Sequence, residues 1–166
     1  MVELPGLGVL HIGDAEHLRR RKERTSMTGT TSTTNTAEAN SVLTVLLAEE
    51  DDDVRLQLSE SLSREGYHVV AVEDGLELFD YLAIAESSKG HLHSPDVIVS
   101  DVQLAGCGGL SACRRVRDGH LDTPFVLLAP KGDLETYVRA VGLGVSDVVE
   151  KPVDFNELRE ALSLLL

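Results

Sequence analysis

Five apolar runs of strand length, each followed by a segment of helical period, restrict this chain more than any other feature. The runs are Val42–Ala48, Tyr67–Val72, Asp96–Ser100, Phe125–Ala129 and Val145–Val149. They are rich in Val, Leu and Ile and mostly lack polar alternation, the pattern of strands covered on both faces. Between them, apolar residues recur at helical spacing: Val54, Leu58 and Leu62; Leu76, Phe79 and Leu82; Leu110, Cys113 and Val116; Leu134, Val138 and Val141; Leu158, Ala161, Leu162 and Leu165. Gly66 reads as a stop for the first helix. A polar loop from Glu86 to Ser94 follows the second, and the third ends near Asp118-Gly119. Asp133 and Asp154 read as N-caps of the fourth and fifth, the latter with Glu157 three residues on. Strands alternating with helices require crossovers, so the chain is expected to form an α/β, doubly wound parallel sheet. Ligands of such sheets sit at the carboxyl ends of the strands, beside the switch in strand order.

The rest of the chain differs in texture. Residues 1–40 hold five acids and five bases, so the whole net charge of −13 belongs to residues 41–166. Thr25 to Asn40 is dominated by Thr, Ser, Asn, Gly and Ala and is too polar to order itself. Residues 1–40 are therefore expected to be a disordered tail, with a possible translation start at Met27, and 41–166 to be the folded domain. Arg19 to Arg24 reads as a solvated basic segment. A domain as acidic as 41–166 repels phosphate backbones and anionic lipid, which argues against direct DNA binding. No stretch reaches the roughly 18 apolar residues of a membrane span. With two cysteines, Cys107 and Cys113, and no signal peptide, a reduced, cytoplasmic protein is expected.

The strand ends carry the chemistry. Glu49-Glu50-Asp51-Asp52-Asp53 follows the first strand, Asp101 the third, and Lys151-Pro152 the fifth. Asp51 to Asp53 suit a helix N-terminus, where acids favour the dipole. Glu49 and Glu50 continue directly from a buried strand, and a bound cation would relieve their repulsion. If strands one and three are neighbours, Glu49, Glu50 and Asp101 share a cleft with Lys151. Carboxylates with open water positions suit Mg²⁺, and His91 and His93 lie in a polar loop. A hard cation, an aspartate and a lysine form a phosphoryl-transfer set.

Residues 42–166 resemble the receiver domain of two-component response regulators. The resemblance rests on Leu46-Leu47-Ala48-Glu49-Glu50-Asp51-Asp52-Asp53-Val54-Arg55, on Pro95 to Leu110 around Asp101, on Thr123-Pro124-Phe125-Val126-Leu127-Leu128-Ala129, and on Ser146-Asp147-Val148-Val149-Glu150-Lys151-Pro152, in this order. It implies a flavodoxin-like fold with strand order 2-1-3-4-5. It also implies a phosphoacceptor at Asp101, charged by a histidine kinase or histidine phosphotransfer protein. Mg²⁺ would be held by Glu49, Glu50, Asp101 and the backbone carbonyl of Gln103, and Lys151 would contact the phosphoryl group. The Lys151-Pro152 peptide is expected to be cis.

Four positions depart from the family pattern. Glu50 stands where Asp is usual, Ala105 where Pro is usual, Ala129 where a Thr or Ser normally bonds the phosphoryl group, and Val148 where an aromatic switch residue is usual. With no output segment after Leu166, a single-domain regulator is expected. It would act by protein contacts in a phosphorelay and be no enzyme beyond at most autophosphatase activity. The alternative is a pseudo-receiver, an interaction module that works without phosphorylation. A haloacid-dehalogenase-type hydrolase would carry a second Asp where Gln103 stands.

Overall fold

A computed structural model of the chain describes residues 42–87, 94–119 and 121–166. The expected tail 1–40, Met27, the basic segment Arg19 to Arg24, and His91 and His93 lie outside the described residues. Within them, strands and helices alternate: β1 (Thr44–Ala48), α1 (Asp52–Arg64), β2 (His68–Val72), α2 (Gly75–Ser87), β3 (Val97–Asp101), α3 (Gly109–Asp118), β4 (Phe125–Pro130), α4 (Leu134–Leu143), β5 (Asp147–Lys151) and α5 (Phe155–Leu165). The strands form one sheet in the order β2-β1-β3-β4-β5, with every neighbouring pair parallel. The order reverses at β1, so β1 and β3 are neighbours, and Ala48 lies opposite Ser100.

Successive strand residues feed two apolar layers. Leu46, Ala48, Val70, Ile98, Phe125 and Leu127 pack under α2, α3 and α4. Val45, Leu47, Val69, Val99, Val126 and Leu128 pack against Leu58 and Leu62 of α1 and Leu158, Ala161 and Leu162 of α5. Both faces are covered, so polar alternation would bury unsatisfied groups; its absence from the sequence has this cause.

Side-chain caps set the helix starts. Asp51 accepts hydrogen bonds from the Asp53 and Val54 amides, both at 3.0 Å. Asp133 accepts from the Thr136 amide at 3.0 Å and Asp154 from the Asn156 amide at 2.8 Å. Each bond satisfies one of the amides that a first helical turn leaves without a partner.

Several expectations shift: β1 starts at Thr44 and not at Val42, α2 runs on to Ser87, and Leu76 of its expected stripe is exposed. The fifth strand runs Asp147–Lys151, two residues later than its apolar run, because the Val145 amide closes the end of α4 on the Ala140 carbonyl at 3.1 Å. The fourth helix forms, but its stripe of Leu134, Val138 and Val141 faces solvent, and Thr136 and Ala140 are the buried residues.

Candidate functional site

The carboxyl ends of β1, β3 and β5 bring Glu49, Asp101 and Lys151 together. Glu49 leaves β1 with its side chain only 1% exposed. Asp101 is the last residue of β3 and is buried. Lys151, the last residue of β5, reaches past the end of β4 to both. Its Nζ donates to Asp101 Oδ2 at 2.5 Å and to Glu49 Oε1 at 3.2 Å, and lies 2.9 Å from Glu49 Oε2. One ammonium thus serves two carboxylates. Glu49 Oε1 also accepts from the Asp51 amide at 3.1 Å. Glu49 Oε2 has the charge of Lys151 nearby but no aligned hydrogen bond among the described residues.

Titration follows from this geometry. Burial pushes the Glu49 carboxyl above its usual range, and the neighbouring Asp101 charge adds to that, while Lys151 and the Asp51 amide oppose it. Burial alone would lower Lys151. Its hydrogen bonds and charge attraction to Asp101 and Glu49 together outweigh burial and hold the ammonium above the usual lysine value.

The remaining expected residues have different placements. Glu50 is exposed, and its Oε2 accepts from the backbone amide of Ala105 at 3.1 Å. Among the described residues, no three His, Cys, Asp or Glu side chains are gathered as a metal cluster. Gln103 is exposed, and its amide donates to Asp101 Oδ1 at 3.0 Å. Ala129 is buried in β4 and Val148 packs against the layer under α2, α3 and α4. The turn after β4 is held instead by Glu150, whose Oε1 accepts from the Gly132 amide at 3.1 Å. The Lys151-Pro152 peptide is cis.

One residue without an assigned role in the sequence reading holds the backbone beside the site. Arg55 is buried on α1, and its Nη1 donates to the carbonyls of Glu49 at 2.8 Å and Glu50 at 3.2 Å. Its Nη2 pairs with Asp52. The guanidinium thereby fixes the backbone that carries both glutamates, using its fork of donors. The available signal was spacing: Arg55 falls on the same helical face as Leu58 and Leu62.

A family model described as the response regulator receiver domain matches residues 45–163. Response regulator MprA of Mycobacterium sp. (strain KMS) is 31% identical over 122 residues, which are 74% of this chain and 50% of that protein. MprA of Mycobacterium avium (strain 104) is 32% identical over 124 residues, 75% of this chain and 51% of that protein. The chain spans about half the length of these curated relatives. Among solved structures, the chemotaxis response regulator CheY4 of Vibrio cholerae is 26% identical with a TM-score of 0.63, covering 75% of this chain and 99% of that one. The receiver domain of the Francisella response regulator 1452 shares the fold at a TM-score of 0.64 and 23% identity, covering 74% of this chain and 95% of that one.

Proposed function

Because the chain belongs to the response regulator receiver domain family, we propose that it accepts a phosphoryl group on Asp101 from a histidine kinase or a histidine phosphotransfer protein. The observation that carries this reading is the pairing of a buried strand-end carboxylate with Lys151 Nζ at 2.5 Å. An oxygen of Asp101 attacks the phosphorus of a phosphohistidine. The P–N bond breaks, and the imidazole leaves and takes up a proton. Lys151 stands where it can offset charge on the transferred phosphoryl oxygens. Arg55 keeps the Glu49-Glu50 backbone in place during this change.

The donor chemistry suits Mg²⁺: the acids are hard oxygen ligands, and Glu49 Oε2 is buried without an aligned hydrogen bond. Glu49, Glu50, Asp101 and the Gln103 carbonyl would hold it. When bound, Mg²⁺ supplies charge neutralisation to the phosphoryl oxygens. The charged domain then acts through protein contacts in a phosphorelay, and its acidity keeps it off DNA.

Incubation with acetyl phosphate and Mg²⁺ is expected to add the mass of one phosphoryl group, and Asp101→Asn to abolish the gain. No gain at any Mg²⁺ concentration would sink the proposal. A second reading, a pseudo-receiver that works without phosphorylation, is favoured by the hold of Glu50 on Ala105 and by Ala129 and Val148. It predicts a Mg²⁺ titration with no saturable binding.

A further inference from the structure

Residues 41–166 carry the whole net charge of −13, but α3 and α4 run against it. α3 holds Arg114, Arg115 and Arg117, and α4 holds Arg139. Two of the four have a role within the fold. Arg117 donates to the carbonyls of Leu121 at 3.0 Å, Thr123 at 2.9 Å and Gly144 at 2.9 Å, tying the end of α3 to the end of α4. Arg115 lies over the Phe79 ring, 5.6 Å from its centroid, a cation–π contact. Both stand in the last turn of α3, where the helix dipole favours cations.

Arg114 and Arg139 have neither role. Neither stands in the last turn of its helix. Among the described residues, neither makes a hydrogen bond or an ion pair. Asp133 feels the charge of Arg139, but its Oδ1 is taken by the Thr136 amide that it caps. The two arginines line one groove between α3 and α4, of about 290 Å³, together with Leu110, Ser111, Gly142 and Leu143. Leu110 is buried and Leu143 half-buried, so the floor is apolar, while Ser111 and both arginines are exposed. A Cβ on Gly142 would meet nothing within 4 Å, so the groove is open at that end. No acid lines it. A second groove, of about 400 Å³, shares Ser111 and Arg114 and continues past Arg115 to Phe79, with Asp118 as its one acid.

A guanidinium fork matches a carboxylate with two parallel hydrogen bonds. Two such forks on different helices, with an apolar floor between them, call for separated carboxylates flanking an aliphatic group. Nucleic acid also offers spaced anions, but its length would run onto the acidic remainder of the domain, which repels it. A short peptide stays within the groove. We propose that the groove between α3 and α4 binds an acidic peptide segment of a partner protein, with carboxylates on Arg114 and Arg139 and an aliphatic side chain over Leu110 and Leu143. The groove shares no residue with Glu49, Asp101 and Lys151, so its failure and the failure of the phosphoryl-acceptor reading are separate results.

The test is fluorescence anisotropy of a short dye-labelled peptide alternating glutamate and leucine, titrated with the full chain, with a glutamine-for-glutamate peptide as control. Saturable binding of the acidic peptide alone is expected. Arg114→Glu and Arg139→Glu should each weaken it by about tenfold or more, the loss of a charged hydrogen bond. Arg159→Glu makes the same charge change at an exposed position of α5 and should alter binding by no more than about twofold, since distant surface charges are screened. Amide shifts induced by the unlabelled peptide should centre on Ser111, Arg114, Arg139 and Gly142. Equal weakening by all three reversals would overturn the proposal, because the peptide would then be reading net charge. Equal binding of the glutamine peptide, shifts centred elsewhere, or no saturable binding would overturn it as well. If inorganic phosphate shifts the same amides and the peptide does not, the groove is a site for small anions and the peptide proposal is wrong.

Discussion

Lys151 holds one positive charge against the carboxylates of Glu49 and Asp101, with hydrogen bonds to both. Removing it leaves two buried like charges without their countercharge. Breaking a buried pair costs about 3–5 kcal/mol, and a lysine side chain 27% exposed warrants a lower figure, about 1–3 kcal/mol for Lys151→Met at neutral pH. Urea unfolding measures it, and equal stability of the two proteins would refute the pairing as an energetic feature. The pH dependence has two signs. Glu49 is raised, so the fold gains stability as pH falls through its folded value and the repulsion disappears; the deficit of Lys151→Met should shrink in acid. Lys151 is raised too, so its contribution is complete below 10.5 and is lost as pH climbs through its higher folded value. The wild-type advantage over Lys151→Met should therefore vanish on the alkaline side. Tyr81, pushed up to about 12 by burial and by Asp96, also titrates there, but it is common to both proteins and cancels in the difference. At this scale the site was largely legible. Asp101 and Lys151 stand out because charged residues directly after apolar strands must share the strand-end cleft. The direction of Glu50 was not legible, since it depends on an amide 55 residues away.

Helices give the sharper contrast between pattern and placement. Spacing shows that Leu134, Val138 and Val141 share a face of α4; it does not show which neighbour covers that face. In α5 the corresponding stripe is the core face, with Leu158, Ala161 and Leu162 buried. In α4 it points outward, and Val138 is 66% exposed. Val138→Glu should then change stability by no more than about 0.5 kcal/mol, as a surface substitution does. Leu158→Ala should lose about 2–5 kcal/mol, as a core truncation does. Denaturant midpoints of the two variants decide the matter, and a Val138→Glu loss comparable to that of Leu158→Ala would show that α4 packs the other way. The late start of β5 has a similar origin: Val145 is apolar and strand-like in sequence, but its amide is used to finish a helix.

For the whole molecule, the proposed cation site links binding to folding. An ion that binds only the folded state stabilises it by about 2.7 kcal/mol at a hundredfold its Kd. The melting temperature should rise with Mg²⁺ and return to its starting value with EDTA, and an unchanged melting temperature across the titration would oppose a metal site. Among the described residues, no helix is long and apolar enough to cross a membrane. What the sequence by itself determined was the alternation of buried strands and helices, and with it the parallel sheet and the gathering of Glu49, Asp101 and Lys151 at its carboxyl edge. Those follow from local physics: apolar runs seek cover on both faces, and crossovers allow one hand. What only the tertiary structure decided was where each side chain finds its partner. Glu50 turned to Ala105, Arg55 took the Glu49 and Glu50 carbonyls, and the α4 stripe was left to solvent. Each depends on contacts between distant segments, and a carboxylate, a guanidinium or a valine has no preference among partners until the fold brings them within reach.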